Sequence, residues 1–141
     1  TRDLPEPVVL KVIEEFKETH TIVHIKREDQ KSYPNVLNAL DGFRSIAILL
    51  QLADKRLLID SFAQHLAAAF KLKSTVCWGT TTPEVFGYEM HNNIKANKFT
   101  LKVDFPTNLY QPFLLSQDVS SAPYARLEDI FNTDTIIKSL K

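Results

Sequence analysis

Glycine is scarce in this chain, with three in 141 residues, and cysteine, methionine and tryptophan occur once each. So little glycine leaves neither a G-x-G-x-x-G fingerprint nor a G-x-x-x-x-G-K-[ST] loop, which removes the usual signatures of dinucleotide and P-loop sites. The lone Cys77 can form no internal disulfide, and its place inside an apolar run suits a reducing compartment, so a cytoplasmic location is expected. Net charge is absent too: 17 basic residues balance 17 acidic ones. That balance recruits neither nucleic acid nor an anionic membrane, and any phosphate binding must come from a local arrangement. No apolar stretch nears the roughly 20 residues of a membrane-spanning helix, so no transmembrane segment is expected. No signal-peptide pattern opens the sequence, and Thr1 standing without a methionine points to a piece of a longer chain or to a processed one.

What is present is a hydrophobic content of 44%, enough for one core. The expected organisation is a single domain over 1–141, with a core at about 5–94 and an irregular segment with short C-terminal helices over 95–141. Residues 5–19 place Val9, Val12, Ile13 and Phe16 at helical spacing. "TIVHIK" (21–26) reads as a short strand, and the polar stretch after it as loop with a short extended piece at 36–39. "FRSIAILLQLAD" (43–54) predicts a helix, "RLLID" (56–60) a buried strand, 61–71 a helix and "STVCW" (74–78) a second buried strand. Alternating helices and uninterrupted apolar strands predict an α/β fold: a Rossmann-like parallel sheet with helices on both faces. Residues 80–99 read as loop with a helical turn, and 99–124 as an irregular segment anchored by Phe105, Tyr110 and Phe113. "LEDIF" and "TDTIIKSLK" close the chain as short helices, with Asn132 or Thr133 as the N-cap.

The chemistry-bearing residues collect at 60–65. Ligands of open parallel sheets bind beyond the carboxyl ends of strands, and Asp60 stands at such an end. Ser61 can cap the following helix, with Gln64 completing a capping box. Helical side chains lean back toward the N-terminus, which sets His65 over the first turn of its own helix. Free N–H groups and the positive dipole end there suit an anion. The alternative is a plain helix cap with a structural histidine. At the adjacent strand end, Gly79, Thr80, Thr81 and Thr82 offer hydroxyl and backbone donors for phosphate or ribose; the alternative is a Thr-Pro turn in which Thr82 caps a helical turn begun by Pro83.

Other constellations are poor. His20, His24, His65 and His91 do not fall at metal-ligand spacings with Cys77, so no metal is expected. Ser61 lacks a nucleophile elbow. A receiver-like domain needs clustered strand-end acids and a lysine partner, and Asp60 alone does not supply them.

"DSFAQHLAAAF" followed by "STVCWGTTTPEVF", within residues 43–94, resembles the C-terminal half of glycosyltransferase family 9, the heptosyltransferase-like enzymes. The family pattern runs helix, strand, Asp-Ser-Gly, His-Leu-Ala-Ala-Ala, strand, then Gly and a Thr-Pro element. The resemblance implies one half of a GT-B architecture, two Rossmann-like domains facing across a cleft. It implies a nucleoside diphosphate sugar donor, a glycan or lipopolysaccharide-type acceptor, and a partner N-terminal domain carrying the catalytic base. Asp60, Ser61 and His65 match the family's donor-site positions, and Thr80 to Thr82 the loop after the next strand; no cofactor is implied. Phe62 stands where the family often has glycine. It would reshape the approach to the diphosphate, and it favours the other reading, a non-catalytic α/β binding module.

Overall fold

A computed structural model describes residues 3–40, 42–79, 81–97 and 126–141 of the chain. Its elements run α1 (Glu6–Phe16), β1 (Val23–Lys26), β2 (Leu37–Leu40), α2 (Phe43–Leu52), β3 (Leu57–Ile59), α3 (Phe62–Ala69), β4 (Thr75–Trp78), α4 (Pro83–Phe86), β5 (Asn92–Lys95), a 3₁₀ turn (Leu127–Asp129) and α5 (Thr133–Leu140). β1 pairs with β2, and β4 pairs with β3 on one side and β5 on the other, every ladder parallel. The chain is thus α/β with parallel strands, as the alternation of elements predicts, its strands divided between two small sheets.

The centre of the larger sheet is β4. All four of its residues are buried, the condition of a parallel strand covered on both faces. Side chains alternate along a strand, so Thr75 and Cys77 share one face while Val76 and Trp78 share the other. The first face meets α5: Thr75 Oγ1 lies 2.8 Å from Ser139 Oγ. Cys77 joins Val8, Phe16, Ala96, Phe131, Ile136 and Leu140 in the main hydrophobic cluster. Burial pushes its thiol up to about 12, so it stays protonated and unreactive. On the opposite face Trp78 is wholly buried, and its Nε1–H donates to Asn93 Oδ1 at 2.8 Å. Asn93 Nδ2 in turn donates to the Tyr88 carbonyl at 2.9 Å, which fixes the β4–β5 connection.

The flanking helices follow from local chemistry. Pro5 precedes α1, where its fixed φ suits helix entry, and Val8, Val12 and Phe16 then form the i, i+4, i+8 stripe against the core. The buried first-turn valine is therefore Val8, with the predicted Val9 only half-buried. α5 is capped by Asn132, whose side-chain oxygen accepts from the Thr135 N–H at 3.1 Å.

One element departs from expectation. Residues 92–95 lie in the stretch read as loop with a helical turn, yet they form β5. "NNIK" holds a single apolar residue, so no period marks it; pairing with β4 and the side-chain bonds of Asn92 and Asn93 make it a strand. The extended piece expected at 36–39 is realised as β2. The irregular segment over 99–124, with Phe105, Tyr110 and Phe113, lies outside the described residues.

Replacing Trp78 with alanine removes the largest fully buried side chain and is expected to cost about 3–5 kcal/mol. Asn93→Ala, which strands the indole N–H, is expected to cost roughly 1–3 kcal/mol. Urea unfolding of both variants checks this; an Asn93→Ala protein as stable as the parent would show that the indole bond is not a structural tie.

Candidate functional site

β3 and β4 pair from Leu57↔Thr75 to Ile59↔Cys77, so the segments that follow them leave the sheet side by side. Asp60 follows β3 directly and is 7% exposed. Thr81 Oγ1 donates to Asp60 Oδ2 at 2.5 Å, joining the two strand ends. A hydrogen bond to an ionised acceptor is among the stronger kinds, and this one is partly buried. Asp60 is therefore a staple between loops, and Thr81 its donor.

Ser61 is the N-cap of α3 in extended conformation (φ −154°, ψ 175°), but its side chain makes no capping bond. The predicted capping box does not form. Gln64, its expected second member, is fully buried, because position 64 faces inward with Ala67. Its Nε2 donates to the Phe86 carbonyl at 3.2 Å, and its Oε1 has no partner among the described residues. The first turn of α3 thus keeps N–H groups that Ser61 does not serve. Gly79 borders this place with open space: a Cβ built there meets nothing within 4 Å. Thr80 lies outside the described residues.

His65 is exposed, but it has a partner. Its Nδ1 lies 3.0 Å from the Tyr88 hydroxyl, with the two rings edge to face at 5.6 Å. Tyr88 meets His91 in the same manner at 5.8 Å. His91 Nε2 donates to the Gln64 carbonyl at 3.2 Å, which leaves Nδ1 as the acceptor of a neutral ring, without a donor among the described residues. Burial holds the His91 pKa below its ordinary value, and the nearby His65 adds to this against the raising effect of the Gln64 carbonyl.

Thr82 differs from its expected role. It precedes α4 as N-cap, yet its hydroxyl donates to the Glu84 carboxylate and caps no N–H. Glu84 also pairs with Lys95, which foremost brings its carboxyl down to about 2, with the Thr82 hydroxyl second. Phe62, the first residue of α3, is 48% exposed and packs edge to face on Phe43, the first residue of α2, at 5.0 Å. Its ring is thereby directed to the α2 side.

The structure thus brings together Asp60 and Thr81, sets Ser61, Phe62 and His65 on the first turns of α3, and turns the Thr82 hydroxyl away to Glu84. The sequence reading missed Tyr88, His91 and Phe43. A Gly-Tyr step and two histidines were visible, but only packing shows that they meet. Among the described residues no group of three His, Cys, Asp or Glu side chains could hold a metal, and no helix is long and apolar enough to cross a membrane. No known protein family, curated protein or solved structure matches the chain.

Two tests follow. A Cβ at residue 87 would come within 2.7 Å of the Pro83 carbonyl oxygen and 2.8 Å of its Cα, so Gly87→Ala must displace the turn that delivers Tyr88. It is expected to cost about 1–3 kcal/mol and to shift the His65 ring resonances in NMR spectra. His24 and His91 both have pKa values lowered foremost by burial. Above their ordinary value of 6.5 neither state carries the proton, and stability is full; below it the unfolded chain protonates first, and stability is lost as pH falls toward the folded values. The slope is at most about 1.4 kcal/mol per pH unit for each histidine, and His91→Gln should flatten it in chemical denaturation between pH 7 and 5.

Proposed function

We propose that this chain is the donor-holding half of a GT-B glycosyltransferase of the family 9 kind, binding a nucleoside diphosphate sugar at the carboxyl ends of β3 and β4. The observation that carries the reading is the Asp60–Thr81 hydrogen bond beside the α3 N-terminus, a start that Ser61 does not cap, with open space at Gly79. The resemblance of "DSFAQHLAAAF" and "WGTTTPEVF" to the family's donor-site segments agrees with it.

In this reading the bond between the sugar's anomeric carbon and the distal phosphate oxygen breaks, and an acceptor hydroxyl forms the new glycosidic bond. The acceptor's proton leaves to a base on a companion N-terminal domain. Negative charge grows on the departing diphosphate, and α3 offers backbone N–H donors and its dipole to that charge. His65 adds a ring N–H donor beside it, its orientation fixed through Tyr88. Asp60 makes no phosphate contact, since a carboxylate beside a diphosphate repels it; it holds the Thr81 loop in place. The acceptor is a glycan or lipopolysaccharide-type hydroxyl.

A second reading, a non-catalytic α/β binding module, is favoured by Phe62. With Phe43 it places an exposed aromatic pair at the start of two helices, where family 9 often has glycine at the first of these positions.

Titration with ADP, UDP and GDP, followed by amide NMR shifts, separates the two. Donor binding is expected to move residues 60–65 and 79–82. Gly79→Ala should keep stability within about 0.5 kcal/mol, because its methyl has room in the free protein. The same methyl should weaken nucleotide binding about tenfold by entering the space of the phosphates. An absence of shifts at millimolar nucleotide rejects the donor reading in favour of the module.

A further inference from the structure

The opposite end of the larger sheet, where β3, β4 and β5 begin, carries a cleft of about 370 Å³. Five cations line it, Lys55, Arg56, Lys71, Lys73 and Lys141, against one acid, Asp54. On a chain whose charges cancel this is a concentrated patch. Some of it serves helix ends. Arg56 donates to the Leu50 carbonyl at 2.5 Å and to the Ala53 carbonyl, closing α2, and Lys55 donates to the Leu140 carbonyl at the end of α5. Lys141 pairs with Glu15 at 2.6 Å.

Lys71 and Lys73 have no such task. Neither ammonium has a hydrogen bond or ion pair among the described residues. The backbone that carries them is nonetheless tied down, at Lys73 by the Arg56 guanidinium, which donates to its carbonyl at 3.4 Å. Lys71 N–H donates to the Ala68 carbonyl and Leu72 N–H to the Ala67 carbonyl, both at 2.9 Å, which is the Schellman closure of α3. Lys71 takes φ 59° there, the left-handed conformation that glycine adopts with least strain. Three helix C-termini also reach this end, each worth roughly half a negative charge, too little to neutralise the cations. The cleft is open, positive and built on fixed backbone.

From this we infer a second anion site, in which Lys71 and Lys73 bind a ligand bearing adjacent phosphate groups, with Lys55 and Arg56 as the fixed cationic wall. Phosphates free in solution and phosphates of a lipid headgroup share this recognition chemistry, and the experiment distinguishes the two sources. The inference is independent of the donor reading, because this cleft lies at the other end of the strands.

The test uses inorganic tripolyphosphate and, separately, sedimentation with phosphatidylglycerol or phosphatidylcholine vesicles. Saturable amide shifts at 54–56, 71–75 and 139–141 are expected with tripolyphosphate if the source is soluble. If the source is a lipid, selective sedimentation with phosphatidylglycerol is expected instead. Either signal should weaken about tenfold or more in Lys71→Gln/Lys73→Gln and fall steeply with salt. Lys71→Gly is the folding control: it should melt at or above the parent's temperature and still bind more weakly. Binding in neither arm, or equal binding by parent and double variant, overturns the site. Nucleotide shifts at 60–65 and 79–82 report on the donor reading alone and survive the lysine changes.

Discussion

Strand β4 is the constraint on which the other parts depend. It has strand partners on both edges, α5 over one face and all four side chains buried, so each face must satisfy an interior of its own kind. Thr75 and Cys77 meet α5 and the main cluster; Trp78 meets a polar neighbour, Asn93, that it can use only because the indole carries one N–H. Cys77, small and apolar with its thiol protonated, is the kind of residue that such a site accepts. Once β4 is placed, the loop after β3 and the loop after β4 must emerge together, and the Asp60–Thr81 bond becomes geometrically available. Nucleotide chemistry at this edge is a proposal; the side-by-side emergence of the two loops is a property of the parallel pairing.

Much of the fold was legible because it rests on short-range pattern. "RLLID" and "STVCW" are continuous apolar runs, which parallel strands covered on both faces require. "FRSIAILLQLAD" has helical spacing, although Leu50 alone becomes fully buried, since α2 packs on one side and leaves Phe43 and Leu52 exposed. β5 was not legible: Asn92, Asn93 and Lys95 carry no hydrophobic period, and their strand state is imposed by β4 from outside.

The site divides along the same line. That Asp60 ends a strand and His65 faces outward from α3 could be read locally, from a strand end and a helical step. The fate of Ser61 and Gln64 could not. A Ser-x-x-Gln spacing signals a capping box, but Gln64 is drawn under α3 toward the Phe86 carbonyl, and burial decides against the local bond. Tyr88 as partner of His65 was beyond reach for the same reason, since the two residues are 23 positions apart. Gln64 Oε1 and His91 Nδ1 record the residual conflict: both are buried acceptors, neither with a donor among the described residues, on two residues already joined by the His91 Nε2–Gln64 carbonyl bond.

Helix α3 spans eight residues, so it is a strut about 12 Å long between the two ends of the sheet. Its Schellman closure and its packing on α2 and β3 leave it no slack with which to bend. Ser61 at its start and Lys71 just past its end are therefore held a fixed distance apart across the domain. The strand-end loops at one rim and the lysine cleft at the other thus share one structural member, α3, while the chemistry at each is supplied by different residues.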